Sequence, residues 1–345
     1  MNARARARLS LSVLLAAVAA ACTAPAPAPG PRLESRTAIA LTFDNDVFTG
    51  SDNNYTNGFS IAAMTGPVRS ESPDSLPRRW GKAWSFLPFI DSERGDVYVG
   101  AAIGQEIFTP EDITVANPPP TEQPYAGVLF ADFTFAGRGA NQCSAWKLRV
   151  GMVGPESQAA EVQTKAHEII DDDRPQGWDT QLPTEPILNL DYNLVQEIPL
   201  VRGDGLGARI IPTAGVSVGN YFTGGGLAAH AEVGWNLPDT VGAISLRNGI
   251  DPIGLIAATR KTAPSLSLFA GGGAFLVGHY LPLDGTVFRD SPSVDSEPVV
   301  GFLSAGASVR AGSFALSYLL SFFSQRYATE QTNDDFGRVT LSWSF

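Results

Sequence analysis

The sequence predicts an all-β protein, a transmembrane outer-membrane β-barrel of about 12 antiparallel strands with a short helix in an extracellular loop. Stretches of about ten residues alternate in hydrophobicity along the chain, as barrel strands do. Their apolar face is bulky and aromatic-rich while the opposite face is small or charged, which favours lipid outside and a polar lumen. The chain ends on an alternating strand whose last residue is Phe345, a pattern typical of bacterial outer-membrane barrels. A soluble β-sandwich also alternates and is the alternative.

Twelve stretches are predicted as strands, an even number as such barrels require. They lie near residues 36–46, 55–66, 97–108, 124–137, 143–153, 185–199, 206–221, 226–238, 265–281, 296–310, 312–326 and 335–345. In an even-stranded barrel both termini lie on the periplasmic side, so connections after odd strands lie at the extracellular rim. The segments 46–55, 109–123 and 154–184 are therefore predicted at this rim. Two long connections, 67–96 and 239–264, fall on the periplasmic side and are predicted to hold short helices or extra turns.

Residues 1–21 are predicted to be a secretory signal peptide. A short arginine-rich stretch precedes an apolar run, residues 9–21, that is too short to span a membrane. The small residues before Cys22 fit either an ordinary cleavage site or a lipobox that would lipidate this cysteine. Residues 22–35 form an Ala/Pro-rich tether, and residues 36–345 are assigned to the barrel.

The charge balance argues against a nucleic-acid partner. Three of the 24 Lys and Arg residues lie in the predicted signal and the rest stand against 35 Asp and Glu, so the mature chain carries about −14 and repels phosphate backbones. Such a charge is compatible with cation binding. Apart from Cys22 the chain contains Cys143 alone, so no disulfide framework is available.

One segment, residues 150–179, interrupts the β pattern, because a strand here runs into a short helix. The motif Gly-Pro-Glu-Ser at residues 154–157 supplies helix breakers and a possible N-cap. Apolar residues then recur at helical spacing, at Val162, Ala166 and Ile169. The sequence therefore predicts a helix inside a rim loop.

His167 is the candidate catalytic base. Gln163 and His167 stand four residues apart, so they share one face of this helix. Free imidazole titrates at about 6.5 and can accept a proton at neutral pH. His167 could therefore activate water, with Gln163 orienting the ring or the water. A surface histidine on an extracellular loop would show the same pattern.

Oxygen-bearing side chains near the same rim suggest a cation site. Asn45, Asp46 and Asp173 carry the ligand type that a hard cation such as calcium prefers. Strand alternation directs Asp44 and Asp46 into the lumen, Asn45 outward, and Thr56 into the lumen. Acidic loop residues that are merely solvated would look the same, and no regular twelve-residue calcium loop is present.

Several motifs together resemble the outer-membrane lipid A 3′-O-deacylase family over essentially the whole mature chain. In order they are FDNDVF (43–48), YTNG (55–58), GQEIFTP (104–110), PYAG (124–127), VGPESQAAEVQTKAHEII (153–170), GWD (177–179), LDGTVFRDSPSVD (283–295) and FGRVTLSWSF (336–345). The resemblance implies a twelve-stranded barrel whose active site lies at the outer rim, between the barrel wall and a helix from an extracellular loop. It also implies a calcium ion that polarises the scissile ester carbonyl and a histidine that activates water.

The resemblance carries specific residues over to this chain. The positions matching the family's catalytic residues are His167, Gln163 and Thr56, and those matching its metal side are Asn45, Asp46 and Asp173. One feature departs from the family, whose characterised members carry a functionally important lysine in the loop after the third strand. Here that loop, residues 110–124, contains no Lys or Arg, so a cation that would hold a phosphate or carbonyl oxygen is missing there.

The resemblance therefore predicts a monomeric, calcium-dependent lipid A 3′-O-deacylase of the bacterial outer membrane, an ester hydrolase acting on lipopolysaccharide in the outer leaflet. Two alternatives stay open. The first is a non-catalytic barrel, either a porin or a structural protein, which bilayer conductance would distinguish. The second is an outer-membrane phospholipase, which a comparison of phospholipid and lipid A as substrates would distinguish.

Overall fold

A computed structural model describes residues 36–46, 55–88, 96–139, 141–171, 173–201, 205–238, 263–331 and 335–345. The predicted signal peptide and tether, and most of the second long periplasmic connection, lie outside these residues. No helix among the described residues is long and apolar enough to cross a membrane.

Twelve strands account for nearly all of the regular structure, and each predicted strand is found with ends that differ by a few residues. They are β1 Arg36–Asn45, β2 Tyr55–Gly66, β3 Asp96–Phe108, β4 Ala126–Arg138, β5 Gln142–Val153, β6 Glu185–Gln196 with its continuation Ile198–Val201, β7 Leu206–Gly219, β8 Phe222–Trp235, β9 Ser265–Tyr280, β10 Val299–Ala311, β11 Phe314–Phe323 and β12 Asp335–Ser344.

The strands close into a single antiparallel barrel. Neighbours in sequence pair with each other, β6 pairs with β7, and β1 pairs with β12, where Ala38 lies opposite Ser344. Closure gives each of the twelve described strands two neighbours, which lipid requires because it offers no hydrogen-bond partners to the backbone. The predicted twelve-stranded antiparallel barrel is confirmed.

Side chains alternate between the two faces of the wall. On β1, Leu41 and Phe43 are exposed on the outside while Thr42 and Asp44 are buried in the lumen. Asp44 accepts two hydrogen bonds of 2.7 Å from Arg338 on β12. The outward band is therefore apolar and the inner face polar, as the sequence predicts.

The connection between β2 and β3 contains the predicted short helix, Leu76–Ala83. Trp80 on this helix packs on Phe133, with ring centroids 5.7 Å apart. Phe133 lies on the outward face of β4, since its neighbours Asp132 and Thr134 are buried in the lumen. The helix therefore covers the outer wall at the periplasmic end, where aromatic residues commonly mark the membrane interface.

A buried ionic network fills part of the lumen. Arg149 donates to both carboxylate oxygens of Asp132 at 2.8 and 3.0 Å and to Glu106 at 3.0 Å. Its guanidinium lies 3.8 Å from the centre of the Phe130 ring, and the Tyr221 hydroxyl donates to Glu106. Towards the rim the lumen holds a cluster of aromatic residues, Phe222, Phe275, Phe302, Phe323 and Phe336. A lumen filled this way does not favour a water-filled porin.

Arg149→Ala should destabilise the barrel, because it leaves Glu106 buried without its cation and Asp132 with only the Lys147 ammonium, 3.9 Å away. Breaking a buried ion pair on one side typically costs about 3 to 5 kcal/mol, and this loss should appear as a lower unfolding midpoint in urea titrations of the protein in detergent micelles. Arg174→Ala, at an exposed rim position, is the control and should unfold like the wild type. Overlapping midpoints for Arg149→Ala and the wild type would show that the network contributes little.

Candidate active site at the extracellular rim

The predicted rim helix is found at Ala159–Ile170, and we call this segment the rim helix. A single 3-10 turn precedes it, and Gln158 between the two adopts a left-handed conformation with φ of 59°. Ser157, suggested as an N-cap by the sequence, donates its hydroxyl proton to the Gly154 carbonyl at 2.7 Å. This hydroxyl closes the preceding turn, so the helix begins two residues later.

The rim helix begins against the outer face of the barrel wall. Gln105 donates from Nε2 to the Ser157 carbonyl at 2.7 Å, and it lies on the same face of β3 as the exposed Ile103. Gly127, in the outward row of β4, is so close that a methyl group there would stand 2.2 Å from Ser157 Oγ and 2.3 Å from Ala159 Cβ. The helix therefore packs on the side of the wall that faces lipid, not over the lumen.

A small apolar cluster holds the helix there. Ile107, Tyr125, Ala159 and Trp178 pack together, and the Tyr125 and Trp178 rings have centroids 4.9 Å apart. The Tyr125 hydroxyl donates to the Ile113 carbonyl at 3.1 Å. Burial raises the pKa of Tyr125 to about 12, so the phenol stays protonated and can donate throughout the neutral range.

The buried face of the rim helix is polar. Ala159, Gln163 and His167 are its buried residues, at the four-residue spacing of one helical face. Gln163 is 3% exposed and His167 is 7% exposed. Val162 and Ile169, whose spacing predicts the helix, are exposed instead. A globular surface helix shows the opposite arrangement.

The wall-facing side chains are held in defined orientations. His167 Nδ1 lies 2.7 Å from the backbone carbonyl of Asp173, which can only accept, so Nδ1 carries a proton; in the neutral ring Nε2 then has the lone pair. Gln163 Oε1 accepts a hydrogen bond of 2.8 Å from Trp178 Nε1. Gln163 Nε2 is buried and has no hydrogen-bond partner among the described residues. A basic nitrogen and an unused donor thus belong to the same helix face.

The residues predicted to bind a metal ion belong to two segments of the chain, the end of β1 and the loop after the rim helix. Asp46 is fully buried just beyond β1 and Asn45 is half-buried at its end. Asp173 has an exposed side chain and contributes its carbonyl to His167. The Thr56 side chain lies outside the described residues, and the β2 backbone has an irregularity between Tyr55 and Asn57. Among the described residues no three His, Cys, Asp or Glu side chains form a group able to hold a metal ion.

Trp178 is the site residue that sequence reasoning did not single out. It belongs to the GWD motif at residues 177–179, which carries no recognisable chemistry by itself. Its indole N–H fixes the Gln163 amide, and its ring packs on Tyr125. The indole N–H of a buried Trp usually needs a hydrogen-bond acceptor. This requirement is the one feature that could have indicated that Trp178 orients a neighbouring polar side chain.

Gly127→Ala should displace the rim helix, because its methyl group would overlap Ser157 and Ala159. Trypsin should then cleave faster after Lys165, since the next basic residue, Arg174, precedes a proline. Gly301→Ala is the matched control, because the nearest atoms to a methyl group there are 3.8 Å away. Equal cleavage rates for the two variants would mean that the helix does not depend on this contact.

Comparisons with known proteins agree with this architecture. A family model described as outer membrane protein LpxR matches residues 9–345. The solved structure of LpxR from Salmonella typhimurium superposes with a TM-score of 0.70, at 16% identity, over 89% of this chain and 99% of that chain. The β domain of the Bordetella autotransporter BrkA gives a TM-score of 0.38 at 10% identity, over 90% of this chain and 99% of its own. No curated protein matches the chain.

The family model covers nearly the whole sequence, and the LpxR structure shares the barrel fold. Membership in this family implies an outer-membrane location and, at the level of the family, lipid A deacylation by hydrolysis. The twelve-stranded barrel is consistent with that assignment. This chain belongs to the outer membrane protein LpxR family.

Proposed function

We propose that the chain is a calcium-dependent lipid A 3′-O-deacylase that hydrolyses an acyl ester of lipid A in the outer leaflet. Family membership supports the reaction class. The observation that carries the proposal is the burial of His167 on the wall-facing side of an external helix, with Nδ1 held by the Asp173 carbonyl. That arrangement presents a basic nitrogen beside a membrane-facing wall.

His167 acts as the general base in this proposal. With its proton on Nδ1, the ring offers Nε2 to a water molecule and takes a proton from it, and the resulting hydroxide attacks the ester carbonyl. The acyl C–O bond then breaks, and the imidazolium returns the proton to the departing sugar oxygen. The hydrogen bond to Asp173 fixes the ring and stabilises the imidazolium that forms. General-base catalysis of this kind contributes on the order of 10² to 10⁴ in rate.

Gln163 acts as a positioning residue one turn earlier on the same face. Trp178 fixes its carbonyl oxygen, so the Nε2 of the same amide group is held in one orientation. An amide donor held in a buried place can orient the attacking water or hold a substrate oxygen. Its unused N–H supports this role, because buried donors are normally paired.

Asn45 and Asp46 are the proposed calcium ligands. Their amide and carboxylate oxygens are the donor type that calcium prefers, and backbone carbonyls and water commonly complete its shell. The donor set therefore fits calcium in kind. Calcium, when bound, supplies Lewis-acid polarisation of the ester carbonyl.

The strand register supports the proposal that His167 lies near Asn45 at the end of β1. Asn45, Asn57, Ile107 and Gly127 pair in one row across β1 to β4. Strands lie about 4.8 Å apart, so this row spans about 14 Å. The helix rises about 1.5 Å per residue, or about 12 Å from Ala159, which contacts Gly127, to His167. The rim helix is long enough to carry His167 from β4 to the neighbourhood of β1.

The direct test incubates the purified barrel with lipid A, with calcium and with a chelator, and weighs the lipid products. Loss of one 3′-linked acyl chain in calcium alone is the expected result. Phospholipid offered in the same assay tests the phospholipase alternative, since both substrates contain acyl esters. Unchanged lipid A in the presence of calcium would overturn the proposed substrate.

His167→Ala should lower the deacylation rate by roughly 10² to 10⁴, because the general base is lost. Glu168→Ala is the matched control, since this neighbour is exposed and points away from the wall. Both variants should keep the heat-modifiable gel migration of a folded barrel. Full activity in folded His167→Ala would exclude this residue as the base.

Trp178→Phe should reduce turnover by about two- to tenfold, corresponding to the loss of one hydrogen bond worth about 0.5 to 1.5 kcal/mol. Phenylalanine keeps an aromatic ring beside Tyr125 and removes the N–H that holds Gln163; the accompanying loss of ring volume is the same in the Trp84→Phe control. The loss should fall on kcat rather than KM, and Trp84→Phe at the periplasmic end should leave both unchanged. A pure KM effect for Trp178→Phe would assign this residue to substrate binding.

A further inference from the structure

The rim helix exposes apolar side chains that its packing does not explain. Val162 is 46% exposed, Ile169 is 84% exposed and Ile170 is 63% exposed. Three branched aliphatic residues on a helix of 12 residues are an unusual surface for contact with water. Gln163 and His167, which this helix buries, are polar.

Two of these three exposed residues, Val162 and Ile169, lie along one flank of the helix. Successive residues turn by about 100°, so with Gln163 pointing at the wall, Val162 and Ile169 point about 100 to 120° to one side. On the same count Glu161 and Glu168 point about 140 to 160° to the other side, and both are exposed. The helix therefore has a wall-facing side, an apolar flank and an acidic flank.

The wall next to the helix continues the same apolar surface. Gln105, which bonds to the segment leading into the helix, is two residues from Ile103 on the outward face of β3. Ile103 is exposed, as are Phe59 and Ile61 on the neighbouring β2. Two residues along a strand span about 7 Å. The lipid-facing band of the barrel thus begins directly below the helix.

We propose that the rim helix lies in the membrane interface, with Val162 and Ile169 in contact with the acyl chains of outer-leaflet lipids. Glu161 and Glu168 on the opposite flank face water. The partner is hydrocarbon, because the apolar flank is continuous with the outward band of the barrel wall. This is the geometry of an amphipathic helix lying in the plane of an interface, here fixed to a transmembrane wall.

Lys165 lies between the two flanks and is exposed. A lysine at the edge of an apolar strip can extend its charged end to lipid phosphates while its stem stays on the apolar side. The inference depends on the location of the barrel in the outer membrane and not on hydrolysis, so it stands or falls separately from the proposed deacylation.

Single cysteines at four helix positions provide the test. Val162→Cys, Ile169→Cys, Glu161→Cys and Glu168→Cys, each labelled with an environment-sensitive fluorophore, are reconstituted into phosphatidylcholine vesicles with or without brominated acyl chains. The native Cys143 is buried in the barrel, and labelling of the unsubstituted chain measures the remaining background. Gel migration confirms that each variant is folded.

The expected result is strong quenching by brominated chains at positions 162 and 169, and little at positions 161 and 168. Aqueous iodide should quench in the opposite order. Similar quenching by iodide at all four positions would overturn the proposal, since the helix would then stand clear of the membrane. Protection of positions 162 and 169 from both quenchers would also overturn it, because another protein surface, such as a second copy, would then cover the flank.

Discussion

Closure of the sheet is the constraint on which the rest of the structure depends. Lipid supplies no partners for backbone groups, so the strands must pair all round, and the β1–β12 and β6–β7 pairings achieve this. A closed wall gives every residue one of two environments, lipid or lumen. The ion pairs around Arg149 form because these side chains face the lumen. The rim helix can pack on the outer wall because that face of the barrel is directed towards lipid.

The rim helix buries polar side chains and exposes apolar ones, which is the reverse of a surface helix in a soluble protein. Packing on the outside of the wall puts apolar side chains where lipid can cover them, so the buried face is available to polar groups. Gln163 and His167 occupy that face and are both buried. Under the proposed function, this placement would hold the base beside the leaflet that contains its substrate.

Strand positions could be predicted from the sequence because a period of two is strong and the barrel repeats it twelve times. The existence of the rim helix could be predicted from the spacing of Val162 and Ile169, but the face it buries could not. Periodicity locates an apolar flank without revealing whether protein or lipid covers it. The hydrogen bond from Trp178 to Gln163 and the use of the Asp173 carbonyl depend on loop geometry, which residue type does not encode. The irregular pairing beside Thr56 likewise interrupts the alternation that orients neighbouring side chains.

The central claim is that the rim helix brings His167 to the end of β1 on the outer wall. A crystal structure of the protein grown in calcium tests this directly. The expected result is an ion bound by oxygen atoms of Asn45 or Asp46 at about 2.3 to 2.6 Å, with His167 Nε2 close enough to share a water molecule with it. An ion bound elsewhere, or a His167 ring turned away from these residues, would contradict the account.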